Sequence, residues 1–103
     1  MFIINNEKWR IRTVHPFHKK LYRPDGSLAV AACDDNDKTI YLSKNLKGDF
    51  LKRVLLHELS HAVFYSYNVN IPTAEEEFIA ELFSNYAEEV VYLTNKIIIE
   101  GLE

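Results

Sequence analysis

Two histidines stand four residues apart in the stretch VLLHELSHAVF (residues 54–64), and a glutamate directly follows the first of them. Side chains at positions i and i+4 project from one face of a helix, about one turn apart. His57 and His61 can therefore reach one metal ion at about 2.0–2.1 Å and leave positions for a third ligand and a water. Glu58 lies roughly 100° further round the helix, where it can take a proton from that water. The spacing predicts two zinc ligands and a general base.

A structural role for the same residues is the alternative. His57 and His61 can also be histidines at the edge of a core with hydrogen-bonded rings, and H-E-x-x-H arises by chance roughly once in several hundred chains of this length. The apolar flanks, the helical setting and a preceding hairpin match what the motif needs, so the pattern favours the metal site.

A third ligand is expected among the glutamates of TAEEEFIAELF (residues 73–83). Thr73 and Glu76 have the spacing of a capping box, in which each side chain satisfies an amide at the helix start. Glu75 falls in the first turn, where a carboxylate suits the helix dipole. Glu77 and Glu81 remain, one turn apart on one face, and suit a metal ligand with a supporting acid that accepts the N–H of a ligating histidine.

The opposite interpretation of this face is a plain solvated surface, formed by Glu77, Glu81, Ser84 and Glu88. Across the helix runs an apolar stripe of Ile79, Leu82, Phe83, Tyr86, Val90 and Leu93. If this stripe packs against the HELSH helix, Glu77 points away from the histidines. A metal site therefore requires the stripe to pack against something other than the HELSH helix.

The elements that must position these residues are strands followed by helices. WRIRTV (residues 9–14) alternates as a half-buried strand, and HPFHKKLYRPDGS forms a loop with a turn at residues 24–26. Residues 28–33, from Leu28 to Cys33, and residues 39–43 form a hairpin. A helix runs over residues 50–67 with Asp49 as its N-cap, and its apolar face consists of Leu51, Leu55, Leu59, Ala62 and Val63.

A second helix runs from Ala74 to at least Thr94, and the apolar tail that begins at Lys96 extends it or forms a strand. The class is therefore α+β: a small antiparallel or mixed sheet packs on the HELSH helix and on a second, glutamate-bearing helix.

Length and composition indicate one domain over residues 1–103, strand-rich in 1–45 and helical in 49–96. The chain has 48% hydrophobic and 26% charged residues and a formal net charge of −3, which gives no reason to expect nucleic acid. A single cysteine, Cys33, excludes an internal disulfide, and we expect neither a signal peptide nor a membrane span. These features predict a cytoplasmic protein.

HELSH followed by EFIAE resembles the gluzincin zinc peptidases, and more closely the small ImmA/IrrE-type peptidases and minigluzincins, over about residues 28–91. The resemblance implies a zincin-like fold with His57, His61 and Glu77 as zinc ligands and Glu58 as the catalytic base. Glu81 stands where the family usually has Asp or Asn. The family also binds peptide as an added strand, which here implies the edge formed by residues 28–33.

The expected function is a zinc-dependent metallopeptidase that hydrolyses peptide bonds in a protein substrate, with a zinc-bound water activated by Glu58. An oxyanion stabiliser is also needed, and the candidates are Tyr65, Tyr67, Tyr86, His15 and His18. One alternative is a zinc-binding but inactive interaction module whose stripe forms a homodimer or partner interface. Another is a latent enzyme whose tail lies along the substrate edge and brings Glu100 or Glu103 to the metal.

Overall fold

The computed structural model describes residues 1–101, which form four strands and two long helices. The strands are β1 (Phe2–Ile4), β2 (Glu7–Val14), β3 (Ala31–Asp34) and β4 (Thr39–Ser43), and the helices are α1 (Gly48–Ser66) and α2 (Thr73–Glu100). A short 3₁₀ turn, Lys19–Leu21, lies in the loop between β2 and β3. The predicted α+β class is confirmed, and the sheet is of the mixed kind. None of the described helices has the length and apolar character that crossing a bilayer requires.

The sheet has the strand order β1-β2-β4-β3. β1 pairs antiparallel with β2 through a turn at Asn5 and Asn6, both at positive φ as a two-residue hairpin turn requires. β2 pairs parallel with β4, and β4 pairs antiparallel with β3. β3 is therefore an edge strand. It begins at Ala31 rather than at Leu28, because Leu28 instead bridges to Tyr22 in the preceding loop.

Each face of the sheet has its own core. On one face Trp9, Ile40 and Leu42 pack against α1, and on the other Val14, Tyr41 and Leu21 close a smaller cluster under the loop. Trp9 Nε1 donates to Ser66 Oγ at 2.7 Å, which ties β2 to the end of α1. These contacts fix one side of α1 on the sheet and leave another side of α1 free to pack against α2.

α1 differs from the prediction at its start and on one face. It begins at Gly48 with Lys47 as N-cap, so Asp49 lies within the first turn and does not cap. Leu51, Leu55, Leu59 and Ala62 pack towards the sheet as expected. Val63 was assigned to this face wrongly: it is exposed, because the inward positions of the last turns are taken by Ala62, Tyr65 and Ser66.

α2 is one continuous helix of 28 residues whose N-cap is Pro72. The capping box predicted for Thr73 and Glu76 is wrong, since no side chain bonds to the helix start and Glu76 turns towards His61 instead. The strand alternative for the tail is also wrong as far as Glu100, which ends the helix. Glu103 lies outside the described residues.

The two helices run antiparallel, because Lys52 contacts Glu88 while His61 contacts Glu76. α2 faces α1 with its small residues: Ala80 is completely buried and Ser84 nearly so. The large apolar side chains of the stripe lie on another side of α2, where all but the half-buried Ile79 are exposed. The glutamates that precede Ala80 and Ser84 by one turn are thereby directed towards α1.

Candidate functional site

The middle of α1 and the first turns of α2 bring His57, His61 and Glu77 together. Glu77 Oε2 lies 3.2 Å from His57 Nε2, and Glu77 Oε1 lies 3.0 Å from His61 Nε2. The two Nε2 atoms are 3.3 Å apart. Three groups that can each donate an electron pair thus converge on one point, and one atom from each lies within 4.8 Å of the others.

These separations suit a tetrahedral ion. Ligands at about 2.0–2.1 Å from zinc are separated by roughly 3.3–3.4 Å along the edges of a tetrahedron. The observed separations of 3.0–3.3 Å need only a small expansion to reach that value. Two imidazole nitrogens and a carboxylate oxygen are also a ligand set that zinc accepts. The donor set therefore fits a zinc ion.

Two further carboxylates lie on the Nδ1 side of the histidine rings. Glu81 Oε1 is 2.9 Å from His57 Nδ1. Glu76 Oε2 is 3.4 Å from His61 Nδ1, which is within ion-pair distance but is not aligned as a hydrogen bond. A carboxylate on this side of a ring draws the proton onto Nδ1 and leaves the Nε2 lone pair free for a metal. Glu81 thus favours the ligating tautomer of His57, whereas Glu76 acts on His61 only through its nearby charge.

Glu58 lies beside this cluster and is only 8% exposed. Burial raises the pKa of its carboxyl, while positive charge on His61 and His57 acts in the opposite direction. Its Oε2 atom is buried and finds no hydrogen-bond partner within residues 1–101. A buried carboxylate oxygen without a donor is costly. Glu7 Oε1 is also without a partner, but Glu7 pairs with Lys38 through its other oxygen, which Glu58 does not do with any cation in the described part of the chain.

A cleft of about 300 Å³ opens in front of Glu58, between α1, α2 and the β3 edge. His57, Glu58 and Glu77 line it, and so does Ala31 of β3. Two cationic side chains, Arg23 and Arg53, also line the cleft. The cleft therefore combines a candidate metal cluster, a buried carboxylate and positive charge beside an open strand.

The side chains predicted to stabilise an oxyanion lie elsewhere in the described structure. Tyr65 stacks on His61, but burial raises its pKa to about 12 and it packs into the core. Tyr67 and Tyr86 are exposed away from the cleft, and His18 stacks on Tyr41 across the sheet. His15 is in the same loop, beside Phe17. None of the five is among the side chains that line the cleft.

Sequence reasoning missed three residues that the structure places here. Arg23 was treated as part of a loop, Arg53 was not singled out, and Glu76 was treated as a cap. For Arg53 a signal was present, because it precedes His57 by one turn and so shares its helix face. Arg23 carried none, because a loop position can be located only from the tertiary structure.

Comparison with known proteins adds no relative: no protein-family model matches the chain, no curated protein matches it, and no solved structure matches it. The resemblance to gluzincins rests on the motif residues alone.

Proposed function

We propose that this protein is a zinc-dependent metallopeptidase with a gluzincin-like, zincin-type arrangement of sheet and helices. The observation that carries the proposal is the buried, unpartnered Oε2 of Glu58 in the wall of a cleft that His57 and Glu77 also line, where these two residues cluster with His61. A site that only held a metal would need no such carboxylate, and a surface glutamate would be solvated. A base that awaits a water or substrate accounts for both features.

The proposed ligands are His57 Nε2, His61 Nε2 and one oxygen of Glu77. A zinc ion held there would polarise the scissile carbonyl and lower the pKa of the attacking water. Glu58 accepts the proton of that water as the new C–O bond forms, and it then passes the proton to the amide nitrogen as the C–N bond breaks. Burial assists the first transfer, because a raised pKa makes the carboxylate a stronger base.

The proposed substrate is a peptide segment in extended conformation that adds to β3. Ser43 N donates to Val30 O at 2.9 Å, so the backbone groups of Val30 and Ala32 turn towards β4. Those of Ala31 and Cys33 then face the open edge, where an added strand can pair with them. Ala31 also lines the cleft, so such a strand would run past Glu58.

A second candidate is a zinc-binding module that acts only by binding a partner. The exposed apolar stripe of α2 favours it, because contiguous apolar surface of this kind marks an interaction site. It does not account for the buried Glu58 oxygen. The latent form blocked by a strand-like tail has no support, because the tail is helical to Glu100 and exposed.

The test compares metal content and hydrolysis of a casein-type substrate in wild type and in Glu58→Gln. We expect about one zinc per chain in both proteins and a loss of several orders of magnitude in activity in the variant. Glu75→Gln is the matched control, since Glu75 is exposed in the first turn of α2 and makes none of these contacts. A wild type that binds zinc and is as inactive as Glu58→Gln would leave the binding module as the function.

A further inference from the structure

The exposed side of α2 carries a seven-residue apolar repeat. Phe83, Val90 and Ile97 stand seven residues apart, with Tyr86 and Leu93 between them. Each of these five side chains is between 45% and 59% exposed. Alternating spacings of three and four residues are the pattern with which one helix packs along another. We call these five residues the seam.

The seam extends beyond the body of the molecule. Every position from Glu88 to Gly101 is exposed, and Glu88 makes the last ion pair with α1, to Lys52. Val91 still lies beside Lys52 and Leu56 of α1. At about 1.5 Å per residue, the part of α2 beyond Val91 projects by roughly 15 Å. An isolated helix of that length is marginal in water, and this one exposes Ile97, Ile98 and Ile99. A partner helix would stabilise it.

We propose that a second copy of this chain covers the seam, with the two α2 helices antiparallel about a two-fold axis between Val91 and Tyr92. In this register Val90 lies opposite the partner's Leu93, and Tyr86 lies opposite the partner's Ile97. The same apolar residues then meet on both sides, as a two-fold interface requires.

The register also places each projecting end on the body of the other copy. The partner's last turns run alongside Phe83, next to an apolar groove of about 250 Å³ whose α1 wall includes Leu56, Leu59 and Val63. Val63 is the α1 residue that the intramolecular core leaves exposed. The same dimer interface thus covers both the projecting end of α2 and this groove.

Charge supports the second copy and the antiparallel direction. Glu89 and Lys96 are exposed and flank the seam on the same edge of α2, seven residues apart. In an antiparallel two-fold pair this edge of α2 faces the same edge of the partner's α2. Glu89 then lies near the partner's Lys96, and Lys96 lies near the partner's Glu89. In a parallel pair Glu89 would face the partner's Thr94, and neither charge would find its opposite.

The exposed apolar surface along the seam is large enough for a specific dimer interface. The five seam residues and Leu82 are each about half exposed, and large apolar side chains offer roughly 150–250 Å². Each copy therefore contributes on the order of 500–600 Å², and two copies exceed the roughly 1,000 Å² expected of a specific interface. Seam residues do not line the cleft, so the dimer leaves the candidate metal cluster accessible.

Sedimentation equilibrium of the full chain tests the dimer. We expect wild type to dimerise at micromolar concentrations and Val90→Glu to be monomeric. Zinc content should be unchanged in the variant, because Val90 is exposed in the monomer and lies away from the cleft. Helix content by circular dichroism should fall by no more than the projecting turns of α2, which lose their partner. A monomeric wild type, or a Val90→Glu protein that still dimerises, would overturn the proposal.

Charge exchange tests the direction of the pair. Lys96→Glu and Glu89→Lys should each weaken dimerisation about tenfold, because each turns two attractive pairs into two repulsive ones. The double variant should return to within about threefold of wild type. Glu75→Lys, which changes charge by the same amount away from the seam, should have no effect. A double variant as weak as the single ones would exclude the antiparallel register.

Discussion

The Nδ1 atom of His57 lies 2.9 Å from Oε1 of Glu81, on the side of the ring turned away from Glu77. Glu81 therefore holds the position of a supporting acid even though it is one methylene longer than the Asp or Asn usual in the family that the motif resembles. Its carboxylate favours a proton on Nδ1, which orients the Nε2 lone pair towards His61 and Glu77.

Removal of this acid should weaken the metal site without abolishing it. Glu81→Ala should lower zinc affinity by about 10–100-fold, since the ring loses the group that fixes its tautomer and orientation. Glu77→Ala should remove a ligand and lose zinc outright. Chelator competition measures both affinities, with Glu75→Ala as control. Zinc retention in Glu77→Ala combined with its loss in Glu81→Ala would show that the ligand is one turn further along α2.

The capping-box residues give a second prediction, which differs from the expectation that the sequence raised. Thr73→Ala should leave stability almost unchanged, because its side chain makes no cap bond. Glu76→Ala should instead lower zinc affinity, because Glu76 Oε2 is the carboxylate behind His61 Nδ1. Thermal unfolding with and without zinc separates the two effects. A Glu76→Ala protein that loses stability equally in both conditions would assign the residue to the helix start.

The different roles of Glu76 in the sequence and in the structure show which features of this fold the sequence predicts. The HELSH helix, the β4 strand and the α+β class follow from local periodicity, which is a property of a few neighbouring residues. The three-residue strand β1 was missed, because three residues are too few to show a period. The Thr73–Glu76 spacing matched a local motif, yet a tertiary partner, His61, took the Glu76 side chain.

The orientation of α2 was the decisive uncertainty. An amphipathic helix normally buries its large apolar face, and that rule would have turned Glu77 away from the histidines. The structure buries Ala80 and Ser84 instead, because small residues let α2 approach α1 closely enough for a glutamate to reach both imidazoles. The sequence shows that a metal site requires the apolar stripe to face away from α1. It does not show which face α2 turns towards α1, since that depends on what covers the stripe.

The cationic wall of the cleft predicts a substrate preference. Arg23 and Arg53 line the cleft beside Glu58, so an acidic side chain near the scissile bond would be attracted there. Arg53→Gln should raise KM for peptides with such a residue by about tenfold and leave KM for neutral peptides nearly unchanged. Matched acidic and amide peptides supply the measurement. Equal changes for both peptides would assign Arg53 to general stability or to the chemical step.

Tyr65 predicts how stability changes at alkaline pH. Burial is the largest cause that raises the pKa of its phenol, from about 10 to about 12. The unfolded chain therefore loses this proton first as pH rises, and the free energy of unfolding should fall between about pH 10 and pH 12. Below pH 10 both states keep the proton and Tyr65 contributes no slope. Tyr65→Phe should flatten the fall, whereas Tyr67→Phe, at an exposed position, should not. Urea unfolding across this pH range measures the slope, and the same slope in wild type and Tyr65→Phe would mean that other groups cause it.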